Sequence, residues 1–468
     1  MLTGFGIATG LFYYGIHLPF YYRLRGDAWT YMDIAHQFRS WHEALNYVGV
    51  RTPGFPIFDY LFLSLDAHST EEPRVIHLCL TLFVFHELTM LWCCFIAVKC
   101  KLFKASSLHF GLFCYLLIAY PAMVMHTTTP ITDVFGADLL FIGFSLFAFS
   151  SFKTPSTLTL CLGLISGSTL GYAILVRPAY WPGVLGFLAV YALMTYVNRW
   201  LSRTPYIRQP MIMCTVTLLT LAVMILPVMN HCQSRYHTLC LQDPNTFNAL
   251  ESMKVGLGSA RTPWTYTLSP QGIVPSYPDP FLSEHFANRC PIQSIVGPLN
   301  DDNTNLFSFY HAPHLTVLYF IKKLEGLFDT FRMTPYTETL TPLWYLWLSR
   351  FFSSLAFLGF FILLWEGAQG IYRLMVYRKP VVTLGFASFC FCVLQVAVHA
   401  ILHVEERYAL PWIPFCLIAL CLKIQEVQNK KYPFYLRRLW LFFGLLVMLG
   451  YFIQVSIWDD GMLTTPPF

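Results

Sequence analysis

The chain has 468 residues, of which 56% are hydrophobic, 17% aromatic and only 12% charged, with a formal net charge of +5. Soluble domains carry about 25% charged residues, so this composition and a mean hydropathy of +0.52 exclude that class. The apolar residues fall in long runs without sustained alternation, which selects membrane-crossing helices over a closed barrel.

Runs long enough for a bilayer of about 30 Å place spans near 3–21, 75–98, 106–124, 134–150, 157–175, 179–197, 210–229, 344–365, 381–403, 408–424 and 438–457. The expected fold is therefore an all-α integral membrane protein with about eleven transmembrane helices. The first run lacks a basic leading segment and a small-residue cleavage site, so it reads as an anchor rather than a signal peptide. The chain divides into a transmembrane module over 1–229 that includes a first outer loop at 22–74, a loop or lid over 230–343, and C-terminal helices over 344–468.

Charge position orients these spans. With a cytoplasmic N-terminus the inside loops are 99–105, 151–156, 198–209, 366–380 and 425–437, and half of the 30 Lys and Arg lie on or beside them. Of the 25 carboxylates only Glu366 and Glu426 face inward. One orientation thus satisfies the positive-inside rule in every loop. The surplus of positive charge is a topology signal and gives no reason to expect a nucleic-acid partner. Most of the fourteen cysteines stand singly inside apolar runs, as small hydrophobes. On the outer side Cys232, Cys240 and Cys290 face an oxidising compartment, where a Cys232–Cys240 bridge with one thiol left over and three free thiols are both open.

Candidate chemistry begins directly after the first span, at Arg25-Gly26-Asp27-Ala28-Trp29-Thr30-Tyr31. A carboxylate at the water–lipid boundary suits a general base or a cation ligand, although Asp27 is equally suited to capping the following helix. Ile34, Ala35, Phe38, Trp41 and Leu45 then recur at helical spacing, which predicts a helix lying in the interface. Arg51-Thr52-Pro53-Gly54-Phe55-Pro56 forces a rigid turn around an aromatic. Inside the second span, His86 and Glu87 suit either a proton path or a neutral glutamic acid hydrogen-bonded to a neighbouring helix.

Further along, Thr129-Pro130-Ile131-Thr132-Asp133 sits at an outer membrane end, where Asp133 either faces Asp27 across a cavity or caps its own helix. Asp138 enters the bilayer and requires a cavity or a partner. Arg177-Pro178 and Glu405-Glu406-Arg407-Tyr408-Ala409-Leu410-Pro411 put arginines at two more outer ends. Guanidinium forks match phosphate oxygens, and snorkelling to lipid headgroups is the structural alternative. In the large outer loop, 316–331 predicts an amphipathic helix, and His311 with His314 has metal-ligand spacing but no third nearby ligand.

In order, these landmarks resemble the GT-C superfamily of membrane glycosyltransferases, with protein O-mannosyltransferases and lipid A aminoarabinose transferases as relatives. The matching residues are Gly26-Asp27 with Tyr31 and Ala35, the turn at 51–56, Pro130 and Asp133, Arg177-Pro178, and Glu406-Arg407-Tyr408 with Leu410 and Pro411. The resemblance implies a GT-C-like fold with interfacial helices in the first outer loop and a small outer lid. It also implies inverting transfer of a sugar from a polyprenyl-phosphate donor to a lipid, glycan or protein acceptor on the non-cytoplasmic face. Asp27 matches the catalytic base. Asp133 matches a second acidic position, which orients the acceptor or helps to hold a divalent cation. Arg177, Arg407 and Tyr408 become candidates for the donor phosphate, and Tyr31, Arg51, Pro53, Phe55 and Glu406 for substrate contact. A bacterial inner membrane with a periplasmic site is the expected setting.

The modest loop after the seventh span argues against protein acceptors, and the lack of a WWDYG-like motif argues against an oligosaccharyltransferase catalytic subunit. The competing class is a transporter or flippase, favoured by His86 and Glu87 but opposed by the absence of internal repeats and the clustering of polar groups at one face. A non-catalytic assembly subunit, the third reading, predicts that Asp27 is replaceable.

Overall fold

Helices form almost all of the described structure, a computed structural model that describes residues 1–18, 27–49, 51–65, 71–151, 157–202, 208–244, 266–269, 272–275, 324, 327–328, 342–380, 382–401, 406–429, 438 and 441–451. Among the described residues, seven helices are long and apolar enough to cross a membrane, at Glu72–Lys99, Leu108–His126, Thr132–Ser151, Thr157–Val176, Pro178–Leu201, Pro210–Tyr236 and Trp344–Tyr377. Shorter apolar helices at Leu2–Ile16, Thr383–His399 and Leu441–Tyr451 occupy three of the remaining expected spans, and Ile413–Asn429 the fourth. The chain is an integral membrane protein built from these helices. A two-stranded antiparallel hairpin, Tyr266–Ser269 with Gly272–Pro275, is the non-helical element among the described residues.

In chain order the helices are α1 (Leu2–Ile16), α2 (Asp27–Gln37), α3 (Trp41–Leu45), α4 (Gly54–Leu65), α5 (Glu71–Lys99), α6 (Leu108–Ile118), α7 (Pro121–His126), α8 (Thr132–Ser151), α9 (Thr157–Val176), α10 (Trp181–Ser202), α11 (Arg208–Tyr236), α12 (Leu343–Tyr377), α13 (Thr383–Ile401), α14 (Ile413–Asn429) and α15 (Leu441–Tyr451). Among the described residues, 3-10 turns at Pro178–Tyr180 and Glu406–Ala409 precede α10 and α14.

The expected interfacial helix is two helices. At the break, the Ser40 hydroxyl accepts from Glu43 N at 3.3 Å and the Glu43 carboxylate accepts from Arg39 N at 2.7 Å. This reciprocal capping starts a new helix at Trp41. The third expected span divides at Pro121, which lacks an amide hydrogen and opens α7. The tenth begins at Ile413 rather than 408, because Pro411 falls in the turn that follows Arg407. Of the expected amphipathic helix at 316–331, only Leu324, Leu327 and Phe328 are described, all helical, and the latter two are buried. His311, His314 and Cys290 lie outside the described residues.

Packing centres on α8 and α9. Helix α9 lies between α8 and α11, α5 packs on α8, α10 on α13, and α12 on α14. Gly163, Gly167 and Gly171 recur every fourth residue on α9 and face α11; a Cβ on Gly167 would lie 2.5 Å from the Thr217 carbonyl oxygen. Small residues at this spacing bring two helix backbones together in lipid. Ser166 Oγ donates to Gly143 O at 2.8 Å, tying α9 to α8 from the other side.

Within the bilayer, His86 Nδ1 lies 2.9 Å from Asp138 Oδ1, with both side chains fully buried. Asp138 therefore has the partner that a carboxyl at this depth requires. The neighbouring-helix contact expected of Glu87 is made by His86 instead, and both Glu87 carboxyl oxygens are buried without a hydrogen-bond partner among the described residues.

Candidate active site

The site assembles where four chain segments reach one end of the bundle. Asp27 opens α2, where the helix N-terminus favours a carboxylate. Arg51 follows α3 and starts the turn into α4. That turn is fastened to the end of α9: Thr52 Oγ1 donates to Val176 O at 3.1 Å and the Tyr172 hydroxyl to Gly54 O at 2.7 Å. Gly54 has no room for a side chain, since a Cβ there would sit 2.5 Å from Val176 N. Gly54→Ala is therefore expected to lower stability by about 1–3 kcal/mol, as overpacking does, and to lower the midpoint of thermal unfolding in detergent.

Arg177 leaves α9 just beyond Val176, and the 3-10 turn after it is held by α13, whose Gln395 Nε2 donates to Ala179 O and Tyr180 O at 3.2 and 3.3 Å. Asp133 lies in the first turn of α8, and Arg407 in the 3-10 turn between α13 and α14.

One guanidinium joins the two acids. Arg407 donates from Nη2 to Asp27 Oδ2 at 3.1 Å and from Nη1 to Asp133 Oδ2 at 3.3 Å. The second oxygen of Asp27 accepts from Arg51 and that of Asp133 pairs with Arg177. Asp133 and Arg407 are only 1% and 5% exposed, whereas Asp27 retains 21% and Arg177 14%. Charge-assisted contacts of this kind fix orientation strongly when partly desolvated. Tyr408 lies beneath the arginines, with the Arg177 guanidinium carbon 4.3 Å and that of Arg407 5.9 Å from its ring centre, and Arg51 stands 5.6 Å from the Tyr31 ring. Burial, reinforced by Asp27, pushes the Tyr31 phenol above its ordinary range, so the hydroxyl stays protonated and able to donate.

These groups open into a chamber of about 970 Å³. Asp27, Tyr31, Arg51, Arg177, Arg407 and Tyr408 line one end of it. The other end is apolar and formed mainly by α11, through Leu218, Leu221, Ile225, Leu226 and Met229. Cys232 and Cys240 form a disulfide, and the stretch around its second cysteine, Leu239 to Gln242, adds to the wall. Asp243 N donates to Gly49 O at 2.8 Å, which docks this wall against the first outer loop next to Arg51.

Among the residues singled out in the sequence, Asp133 is behind the arginines rather than on the chamber surface. Pro53 and Phe55 are also outside the lining. Pro53 O accepts from Ile57 N at the start of α4, and the fully buried Phe55 ring packs edge-on against Tyr31 and Phe135 at 5.3 and 5.8 Å. Gly26, Glu405 and the Glu406 side chain are outside the described residues. His399, Gln395 and the α11 wall carry no signal in the sequence; His399 lines the chamber with its ring tilted at 32° and 4.6 Å from that of Tyr408.

The described residues do not fit a divalent cation. Both aspartates are already paired with guanidiniums, and three guanidiniums against two carboxylates leave the cluster net positive. No group of three or more His, Cys, Asp or Glu among the described residues is placed to hold a metal.

No family model and no curated protein matches the sequence. Solved structures do match. The oligosaccharyltransferase of Archaeoglobus fulgidus in its apo form is 14% identical with a TM-score of 0.52, and the match covers 98% of this chain and 55% of that one. The same coverage holds for the archaeal oligosaccharyltransferase AglB from Archaeoglobus fulgidus in complex with an inhibitory peptide and a dolichol-phosphate, at 13% identity and a TM-score of 0.51. The Archaeoglobus fulgidus enzyme complexed with Zn and sulfate matches at 14% and 0.51, over 98% of this chain and 52% of that one. The fold is the one these oligosaccharyltransferase structures share. At this identity the likeness is one of fold, and this chain spans about half the length of those proteins. This fold brings Asp27, Asp133, Arg177 and Arg407, far apart in sequence, to one end of the bundle.

Proposed function

We propose that this protein transfers a sugar from a polyprenyl-phosphate donor to an acceptor hydroxyl or amide at the non-cytoplasmic membrane surface, with inversion at the sugar carbon. The single observation carrying this reading is the amphiphilic chamber, with guanidiniums and one partly exposed carboxylate at one end and an apolar α11 wall at the other. A lipid phosphate matches it end to end. A dolichol-phosphate is bound in a structure sharing the fold.

In this mechanism Arg177 and Arg407 hold the donor phosphate, with the prenyl chain along α11. Asp27 accepts the proton of the acceptor nucleophile, whose oxygen or nitrogen attacks the anomeric carbon from the face opposite the phosphate. The new glycosidic bond forms as the bond from carbon to phosphate oxygen breaks, and polyprenyl phosphate leaves with one more negative charge. The preorganised guanidiniums stabilise that charge. Asp133 acts as a positioning residue, holding both arginines from behind, while Phe55 supports Tyr31. Tyr31 and Arg51 border the acceptor side. No step requires a metal. A bacterial inner membrane with the chamber facing the periplasm is the proposed setting.

The reading is tested by incubating purified protein in detergent with polyprenyl-phosphate sugars and no acceptor. Slow hydrolysis to free sugar and polyprenyl phosphate is expected, with water replacing the acceptor. Intact donor in this assay, together with donor translocation across sealed vesicles, would support the flippase reading instead.

A further inference from the structure

A second cavity, of about 490 Å³, lies in the opposite half of the bundle from the Asp27 chamber. It is bounded by the far ends of α5, α8 and α12, the start of α13, and α14. Its interior is walled by phenylalanines, including Phe113, Phe141, Phe144, Phe187 and Phe415. Its rim is charged. Lys423 Nζ donates to Glu366 Oε1 at 2.7 Å and to Glu426 Oε2 at 3.0 Å, and Arg373 stands on α12 about two turns beyond Glu366. The Lys423 side chain is 11% exposed, against 43% and 29% for the two glutamates, so the ammonium is built in and the carboxylates remain approachable.

We propose that this cavity binds a zwitterionic phospholipid bearing a primary amine, with acyl chain inside and headgroup on the rim. The volume falls in the range of ligand cavities, and its apolar lining with a few convergent polar groups is the usual form of such a site. Charge complementarity selects the headgroup. The rim carries two anions and two cations, so a purely anionic headgroup gains no net attraction, whereas a phosphate beside Arg373 and an ammonium beside Glu366 and Glu426 satisfies both signs. A primary ammonium offers N–H donors to the carboxylates that a quaternary amine lacks. The site is independent of the transferase reading, although α13 links the two regions: Leu384, Gly385, Phe386 and Ser388 border this cavity and His399 borders the Asp27 chamber.

The full chain, purified from equimolar phosphatidylethanolamine, phosphatidylcholine and phosphatidylglycerol vesicles, would be assayed for retained lipid by native mass spectrometry. Phosphatidylethanolamine is expected to be retained roughly tenfold over the other two, the scale of one or two charge-assisted hydrogen bonds. The double variant Glu366→Gln with Glu426→Gln should abolish the preference. Gly385→Leu should reduce retention of all three lipids, because a Cβ there meets nothing nearer than the Val382 side chain at 3.8 Å and the added side chain enters the cavity. Equal retention of the three lipids by the wild type, a phosphatidylethanolamine preference unchanged in the double glutamine variant, or undiminished retention by Gly385→Leu would overturn the proposal.

Discussion

Asp27→Asn is expected to abolish sugar transfer, by about 10²–10⁴-fold, the range that a positioned general base contributes. The variant removes proton-accepting power while keeping size, shape and one carbonyl acceptor for the Arg51 and Arg407 donors. Asp27 is 21% exposed and opens α2 rather than sitting in the core, so folding should be little affected. Stability within about 1 kcal/mol of wild type is expected, the scale of a partly exposed ion pair. Transfer rates measured with saturating donor, beside thermal unfolding, separate the two effects. A variant that transfers at the wild-type rate would remove Asp27 as the base.

Arg407→Ala should be worse for the protein as a whole. Its guanidinium joins Asp27 and Asp133 and is 5% exposed, while Asp133 is 1% exposed. Removing one partner of a buried charge pair leaves the other uncompensated, at a cost of about 3–5 kcal/mol. Arg177 still pairs with Asp133, so the lower end of that range is expected. Transfer should fall a further 10²–10³-fold, about the effect of losing one donor to a developing anion. Arg407→Lys discriminates the two contributions. It restores the positive charge but cannot present two parallel donors to two carboxylates, so stability should recover in part while transfer stays low. Recovery of transfer by lysine would show that only charge matters there.

Much of this site was legible because its residues lie where span ends meet outer loops. Asp27, Asp133, Arg177 and Arg407 each adjoin a proline, glycine or helix end that the hydropathy pattern marks. That Arg407 bridges the two acids could not be read from sequence, since 274 and 380 residues separate the partners and only the fold sets their distance. Asp133 resembles a surface acid in sequence, but arginines on both sides bury it. The resemblance made Phe55 and Pro53 candidates for substrate contact through the turn at 51–56. Yet the turn, tied to Val176 by Thr52, directs Phe55 into the core.

Other features were present in the sequence as unused signals. The glycines at 163, 167 and 171 have the spacing of close helix packing, and Ser40 with Glu43 has that of a capping box. The α11 wall carried none, because a leucine facing a chamber and a leucine facing lipid are the same residue in the same run. Leu221 is buried at 5% while Leu219 on the same helix is 62% exposed. Only neighbouring helices decide which faces inward.

Photo-crosslinking with a diazirine-bearing polyprenyl phosphate asks whether the chamber holds a lipid phosphate. Peptide mapping of the purified protein should place adducts on Leu221, Ile225 and Met229 of α11, and Arg407→Ala should reduce them. Adducts no more abundant on these residues than with an uncharged polyprenol of equal length would contradict a chamber that holds a lipid phosphate against Asp27.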